Sequence, residues 1–220
     1  MSKLIGSPID HKNSGLLKLL HGLRDDIDIY YVIADYADTI NQCGVGKTFF
    51  GHIQHRALES IILSICKIYE MENKKKGKYS LNSIDGVFRH LDEESPKALD
   101  DLKIKGFIQK YGGSSDFGSP ISELHSTIKG FRKRYKPQLD CFETFRNKRV
   151  AHSEYDFTKD KLPSEDMMKK LFSFAADFYE LVSGSFVGVG PFDLMAGRRV
   201  KASLNGLFQK LGFEDIKTDK

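Results

Sequence analysis

Apolar residues recur every three to four positions along most of the chain, which is the spacing that keeps them on one side of an α-helix. Stretches containing glycine or proline interrupt this pattern and divide it into separate helices. We predict helices over residues 16–42, 49–69, 80–91, 96–111, 120–135, 137–155, 164–181 and 198–213. The chain is therefore predicted to be all-α, an up-and-down helical bundle with extra short helices.

The same pattern divides the chain into three parts. Residues 1–13 lack helical spacing and are predicted to be a flexible N-terminus. Residues 14–190 hold the successive amphipathic helices and form the predicted helical domain. Residues 191–220 are predicted to be a basic, amphipathic C-terminal tail. The apolar positions of its helix are Val200, Leu204, Leu207 and Leu211.

Composition and charge limit the classes of function. Hydrophobic residues make up 40% of the 220 residues, enough for a sizeable core, and the net charge of +4 permits an anionic partner without requiring one. The three cysteines, Cys43, Cys66 and Cys141, lie far apart without a CxxC pair, so neither a zinc knuckle nor a disulfide framework is indicated. Such thiols suit a reducing cytosol, and no apolar run reaches the length of a membrane span. We therefore expect a cytoplasmic protein without a membrane partner.

The most informative segment lies on the predicted helix 137–155, where charged residues share a side with apolar ones. At about 100° per residue, the apolar side consists of Leu139, Phe142, Phe145 and Val150. Arg146, Arg149 and His152 fall within this side, whereas Asp140 and Glu143 fall beside or behind it. Burying a guanidinium or an imidazole is costly unless the group meets a partner or lines a cleft. The pattern therefore favours a functional cleft over ordinary surface charge.

This segment resembles a known signature. The heptapeptide Arg-Asn-Lys-Arg-Val-Ala-His, residues 146–152, resembles the Arg-to-His motif of the HEPN superfamily, the higher-eukaryote and prokaryote nucleotide-binding helical domain. The surrounding string 142–152 is most similar to the abortive-infection (Abi) branch of that superfamily. The long apolar helix 49–69 and the final helix 164–181 agree, so the resemblance covers roughly residues 14–185. It implies a helical bundle of HEPN type.

The resemblance also implies a function. It is that of a metal-independent endoribonuclease without a cofactor, which works as a homodimer and cleaves RNA in phage defence as an abortive-infection or toxin-like protein. Carried over, His152 would be the acid/base, Arg146 would bind and stabilise the scissile phosphate, and Asn147 would be an orienting group. The alternative is a non-catalytic HEPN module that dimerises or binds nucleotides or RNA, with an antitoxin protein as a partner. A helical scaffold in which the motif only packs is a third interpretation.

The chemistry of RNA cleavage suits these residue types. RNA carries its own nucleophile, the 2'-hydroxyl, beside each phosphodiester. A histidine titrates near neutral pH and can move the protons, and a guanidinium fits the phosphate. On one α-helix, Arg146 and His152 would be about 120° and roughly 9 Å apart, which is wide for one phosphate. A twofold-related copy would bring an arginine and a histidine from different subunits together, a second reason to expect a homodimer.

A basic segment precedes the motif. Residues 129–136 hold five cations interleaved with Phe131 and Tyr135. Cations hold phosphates and aromatic rings stack on unpaired bases, so the segment predicts an RNA-binding surface. An ordinary charged helix surface is the alternative. The residues that we expect to contact RNA are Arg132, Lys133, Arg134, Lys148 and Arg149.

Two further patterns are less specific. Residues 44–48, Gly-Val-Gly-Lys-Thr, imitate a phosphate loop, but the full pattern needs a glycine where Asn41 stands and a preceding strand, so we predict a helix–helix turn. His52, His55 and Glu59 share one side of a helix and are types that bind zinc or iron. They lack the HExxH pattern and a second cluster to complete a site. We therefore favour a polar surface there and predict no metal site.

Overall fold

A computed structural model describes residues 15–44, 46–71, 82–94, 101–112, 119–151, 164–186 and 198–213. Every regular element in these ranges is a helix, which confirms the all-α prediction. The α-helices are α1 (Leu16–Asp35), α2 (Ala37–Cys43), α3 (Lys47–Ile68), α4 (Ile84–Glu94), α5 (Asp101–Tyr111), α6 (Pro120–Arg134), α7 (Lys136–Phe145), α8 (Glu165–Phe186) and α9 (Arg198–Lys210). A π-helix, Arg146–Ala151, follows α7. The predicted flexible residues 1–13 lie outside the described ranges. Within those ranges, no helix is both long and apolar enough to cross a membrane.

Helices α1 and α3 form an antiparallel pair. Gln54 Nε2 of α3 donates to the carbonyl of Tyr30 in α1 at 3.2 Å. Six residues further along α3, Ser60 Oγ donates to the carboxylate of Asp26 at 2.5 Å. The contacted residue number in α1 therefore decreases as the residue number in α3 increases, so the two helices run in opposite directions. This pair has the up-and-down arrangement that the sequence predicts.

The predicted helix 16–42 is divided in two at Tyr36. The backbone there leaves the helical region, with φ −96° and ψ 5°, and α2 begins at the next residue. The Tyr36 ring is buried against Phe208 of α9, with ring centroids 4.4 Å apart. That contact joins positions far apart in the sequence, and local spacing cannot reveal it.

The glycine pair between α2 and α3 forms a turn. Gly44 ends α2 with φ 67° and Gly46 begins α3 with φ 69°, both in the left-handed region that favours glycine. A Cβ on Gly46 would lie 2.8 Å from the ring of Phe50. Because a helix rather than a strand precedes the turn, the interpretation as a helix–helix connection is confirmed.

Aromatic rings from α5, α6 and α8 pack together in the main core. Phe131 of α6 stacks on Phe174 of α8 with centroids 3.6 Å apart. Tyr111 of α5 meets the Phe174 ring edge-on at 4.7 Å. Tyr69, directly after α3, donates its hydroxyl to the carbonyl of Leu171 in α8 at 2.6 Å. These contacts hold the C-terminal ends of α3 and α6 beside each other, and the candidate site lies there.

The C-terminal helix α9 packs on a second, smaller cluster. Phe208 and Phe213 are buried against Tyr36 and residues of α1 and α3. The predicted apolar side of the tail is wrong at Leu207 and Leu211, each 42% exposed. The larger rings take the buried positions because they stack on Tyr36, whereas Leu204 is partly buried as expected.

Phe174→Ala is expected to lower the free energy of unfolding by about 3–5 kcal/mol, because it removes a buried ring and leaves a cavity. Denaturant titration followed by circular dichroism measures the change. Phe49→Ala is the matched control, since the same change at a ring that is 61% exposed should cost less than about 1 kcal/mol. Equal losses in the two variants would contradict the central position of Phe174.

Candidate functional site

A cavity of about 610 Å³ lies where the C-terminal ends of α3 and α6 meet α7. This volume is within the range of small-ligand sites, about 300–1,000 Å³. Its cationic residues are Lys129, Arg132, Lys133, Lys136 and Arg146. Its acidic residues are Glu70, Asp140 and Glu143. Its apolar wall includes Ile65, Cys66, Met71, Leu139 and Phe142.

Arg146 lies on the wall of this cavity, at the first position of the π-helix. Its side chain is 32% exposed, so it is neither buried in the core nor free in solvent. Its Nε donates to Oδ1 of Asn147 at 3.1 Å, and its Nη2 donates to Oε1 of Glu143 at 3.3 Å. Two neighbours on its own helix therefore orient the guanidinium. The orienting role in catalysis that the resemblance implies for Asn147 stays a prediction.

Two carboxylates beside the motif also line the cavity. Asp140 and Glu143 were expected beside or behind the apolar side, but both face the same space as Arg146. Glu143 pairs with Arg146 three residues later, and Asp140 accepts from Lys136 Nζ at 2.6 Å. Sequence reasoning missed Glu143 as a site residue. Its spacing of three from an arginine was the available signal, because residues so spaced are neighbours on a helix.

The motif departs from regular α-helix at its first residue. We predicted one α-helix over 137–155, but the segment from Arg146 to Ala151 is π-helical. A π-helix closes its hydrogen bonds over five residues instead of four, so positions are no longer 100° apart. The spacing of 100° per residue expected from the sequence therefore does not apply between Arg146 and Ala151. His152 lies outside the described residues, as do the side chains of Arg149 and Val150.

Arg132 has a structural partner as well as a place on the cavity wall. Its Nη1 donates to the carbonyl of Tyr69, which follows the last turn of α3. Such carbonyls lack intrahelical donors, so the guanidinium caps α3. Burial lowers the pKa of Arg132, while Asp85 and Tyr69 oppose the shift. Arg132 therefore supplies positive charge to the cavity from a half-buried, anchored position.

The other predicted RNA-binding residues are divided by the fold. Lys133 is exposed and lines the cavity. Arg134 points elsewhere, because its guanidinium lies close to Gly112 at the end of α5. Lys148 is half-buried on the π-helix and is not one of the residues that line the cavity. Of the predicted cations with described side chains, the structure brings Arg132, Lys133 and Arg146 together.

The aromatic residues of the basic segment pack against the main core. Phe131 is 3% exposed and lies in the core, stacked on Phe174. Tyr135 is half-buried and packs against Phe131, with centroids 4.5 Å apart. The prediction that these rings stack on bases is wrong for Phe131. Both aromatic residues contribute to core packing, whereas most cations of the segment are exposed.

The His52, His55 and Glu59 group is a surface cluster of ion pairs. Glu59 accepts from Arg56 at 2.8 Å, and its other oxygen lies 3.2 Å from Nε2 of His55. His52 is exposed. In the part of the chain that the structure describes, no group of three histidine, cysteine or acidic residues is arranged to hold a metal ion.

The thiol of Cys66, which belongs to α3, lines the cavity and has a shifted pKa. Burial raises the pKa of Cys66 to about 11, with Arg146 lowering it and Glu143 raising it. The Cys66 thiol therefore interacts electrostatically with both members of the Arg146–Glu143 pair. A residue of α3 and the first residue of the motif are therefore neighbours in the folded chain.

The all-α fold and the position of an arginine-led motif beside a cationic cavity fit the HEPN class of helical domains. Residues 40–200 match the HEPN_AbiU2 family, described as AbiU2, and the chain belongs to this family. The match confirms the expected abortive-infection type of HEPN domain. It leaves out α1 and reaches α9, further toward the C-terminus than the resemblance over residues 14–185. No curated protein and no solved structure matches the chain.

Arg146→Ala is expected to raise the pKa of Cys66 further, because it removes the positive charge that favours the thiolate. The rate of Cys66 alkylation against pH, followed by peptide mass spectrometry, measures that pKa. Glu143→Gln should shift the profile in the opposite direction. Arg56→Ala removes an equal charge elsewhere on α3 and should leave the profile unchanged. An unshifted Arg146→Ala profile would contradict the proximity of the two side chains.

Proposed function

We propose that this chain is a metal-independent endoribonuclease of the abortive-infection type. The observation that carries the proposal is the position of Arg146 on the wall of a cavity in which cations outnumber carboxylates. Membership of the HEPN_AbiU2 family supports it, because HEPN domains are often ribonucleases. In this proposal the protein is a toxin-like effector that cleaves RNA during phage infection, and an antitoxin protein is a candidate partner.

In the proposed mechanism, Arg146 binds the scissile phosphate. Asn147 and Glu143 engage its Nε and Nη2, and Nη1 is the atom proposed to meet a non-bridging oxygen. As the RNA 2'-hydroxyl attacks, the bond from O2' to phosphorus forms and the bond from phosphorus to O5' breaks. Negative charge grows on the non-bridging oxygens, and a preoriented guanidinium stabilises it. Lys133 is proposed to hold a neighbouring phosphate, as are Arg132, Lys148 and Arg149 of the predicted set.

His152 is proposed to transfer the protons. The 2'-hydroxyl must lose a proton as it attacks, and the leaving 5'-oxygen must gain one. An imidazole can do either near neutral pH, and a positioned proton donor or acceptor contributes about 100- to 10,000-fold in rate. Arg146 and His152 are six residues apart in the sequence, and the proposal takes the arginine from one subunit and the histidine from its twofold-related copy.

Arg146→Ala is expected to lower the rate of RNA cleavage by about 100-fold or more, as expected for loss of one donor to the transition state. His152→Ala should lose both cleavage and toxicity while folding normally. The assay uses purified protein and labelled RNA in EDTA, because the proposed chemistry requires no metal.

Arg56→Ala is the matched control for this experiment. Arg56 also pairs with a glutamate three residues away and is 68% exposed, but it does not line the cavity. It should retain the parental rate. A parental rate in Arg146→Ala, or activity that appears only when a divalent cation is added, would reject the proposed mechanism.

Mixing the two inactive variants is expected to restore cleavage. A heterodimer of Arg146→Ala and His152→Ala contains one composite site with both native side chains, if each site takes one residue from each subunit. After subunit exchange, the mixture is assayed against each variant alone at equal total concentration. Restoration supports the composite site. If the mixture stays as inactive as its components while size measurements show dimers, the two residues act within one subunit.

A further inference from the structure

The cavity between α3, α6 and α7 is lined by both apolar and cationic side chains. Its accessible apolar side is formed by Cys66 and Leu139, both half-buried, and by Met71, which is 55% exposed. Lys129 and Lys133 of α6 line the same cavity and are exposed. A ligand that fills this space must present a flat or apolar part and an anionic part together.

The charged residues that line this cavity favour the binding of an anion. Asp140 is paired with Lys136, and Glu143 with Arg146, so two of the three carboxylates are neutralised by cations within one turn. The remaining cations, which include Lys129 and Lys133, outnumber the remaining carboxylate, that of Glu70. A phosphate group therefore meets a net positive wall.

We propose that this cavity binds one nucleotide unit of a single-stranded RNA, with its base against Cys66, Met71 and Leu139 and its phosphate against Lys129 and Lys133. This inference rests on the proposed function, because Arg146 on the same cavity wall would hold the adjacent, scissile phosphate. A duplex keeps its bases stacked and paired, whereas an unpaired base can be splayed out and bound individually. A volume of about 610 Å³ accepts a single such unit.

This subsite replaces the stacking role that Phe131 cannot fill. Base–aromatic stacking was the expected source of affinity for the basic segment, but Phe131 of that segment is buried in the core. The apolar wall instead comes from the end of α3 and from α7, which bring Cys66, Met71 and Leu139 to the cations of α6. Burial of apolar surface against a base then supplies part of the binding free energy.

The test uses Cys66 as a reporter inside the cavity. The full chain is treated with N-ethylmaleimide at alkaline pH, and modification of the Cys66 peptide is quantified by mass spectrometry, with exposed Cys43 as the internal reference. The ligand is a 2'-O-methyl single-stranded oligonucleotide, which lacks the attacking hydroxyl and stays intact. At ten times its Kd, it should slow Cys66 modification about tenfold by mass action, and leave Cys43 unaffected.

Two comparisons identify the bound part. An abasic oligomer of equal charge should protect Cys66 much less than the base-containing strand, and a duplex should not protect it. Lys133→Ala should weaken protection, whereas Lys105→Ala, which removes the same charge from an exposed position on α5, should not. Melting curves check that both variants fold.

The outcomes separate this inference from the proposed function. Equal protection by the abasic oligomer, or protection by free nucleoside monophosphates but not by RNA, overturns the subsite. No protection by any strand, while the unmodified chain still cleaves RNA, overturns the subsite and leaves the nuclease proposal intact. Base-dependent protection in a chain that cleaves no RNA supports the subsite and rejects the nuclease.

Discussion

The stack between Phe131 and Phe174 is the contact that positions the candidate site. It ties α6 to α8 with ring centroids 3.6 Å apart, and Tyr69 joins the same group from the end of α3. Because Phe131 faces inward, the nearby Lys133 and Arg134 of α6 are exposed to solvent. The direction in which the basic segment presents charge is thus a consequence of core packing.

The cations around the cavity differ in what holds them. Arg132 is anchored on the carbonyl of Tyr69 and stabilises the end of α3. Arg146 is oriented by Asn147 and Glu143 on its own helix. Lys133 is exposed on the rim. A basic segment can therefore combine a structural cap and solvent-exposed charge, because adjacent helix positions point in different directions.

Prediction from sequence was most accurate where local spacing decides structure. The helices over 120–135 and 164–181 correspond to α6 and α8, and the glycine turn before α3 was recognised correctly. It was least accurate where the backbone departs from a regular α-helix. Tyr36 leaves the first helix and packs on Phe208, and the motif becomes π-helical at Arg146. Neither change follows from apolar periodicity, which assumes 100° per residue throughout.

The sequence by itself determined the helical class, the positions of most helices and the motif through which the HEPN family was recognised, because these depend on residues close together in the chain. Tertiary structure alone decided that Cys66, Lys133 and Arg146 share one cavity, and that Arg134 lies apart from it near Gly112. Those relations depend on how α3, α6 and α7 pack. Packing is settled by contacts between side chains far apart in sequence, which a one-dimensional pattern does not contain.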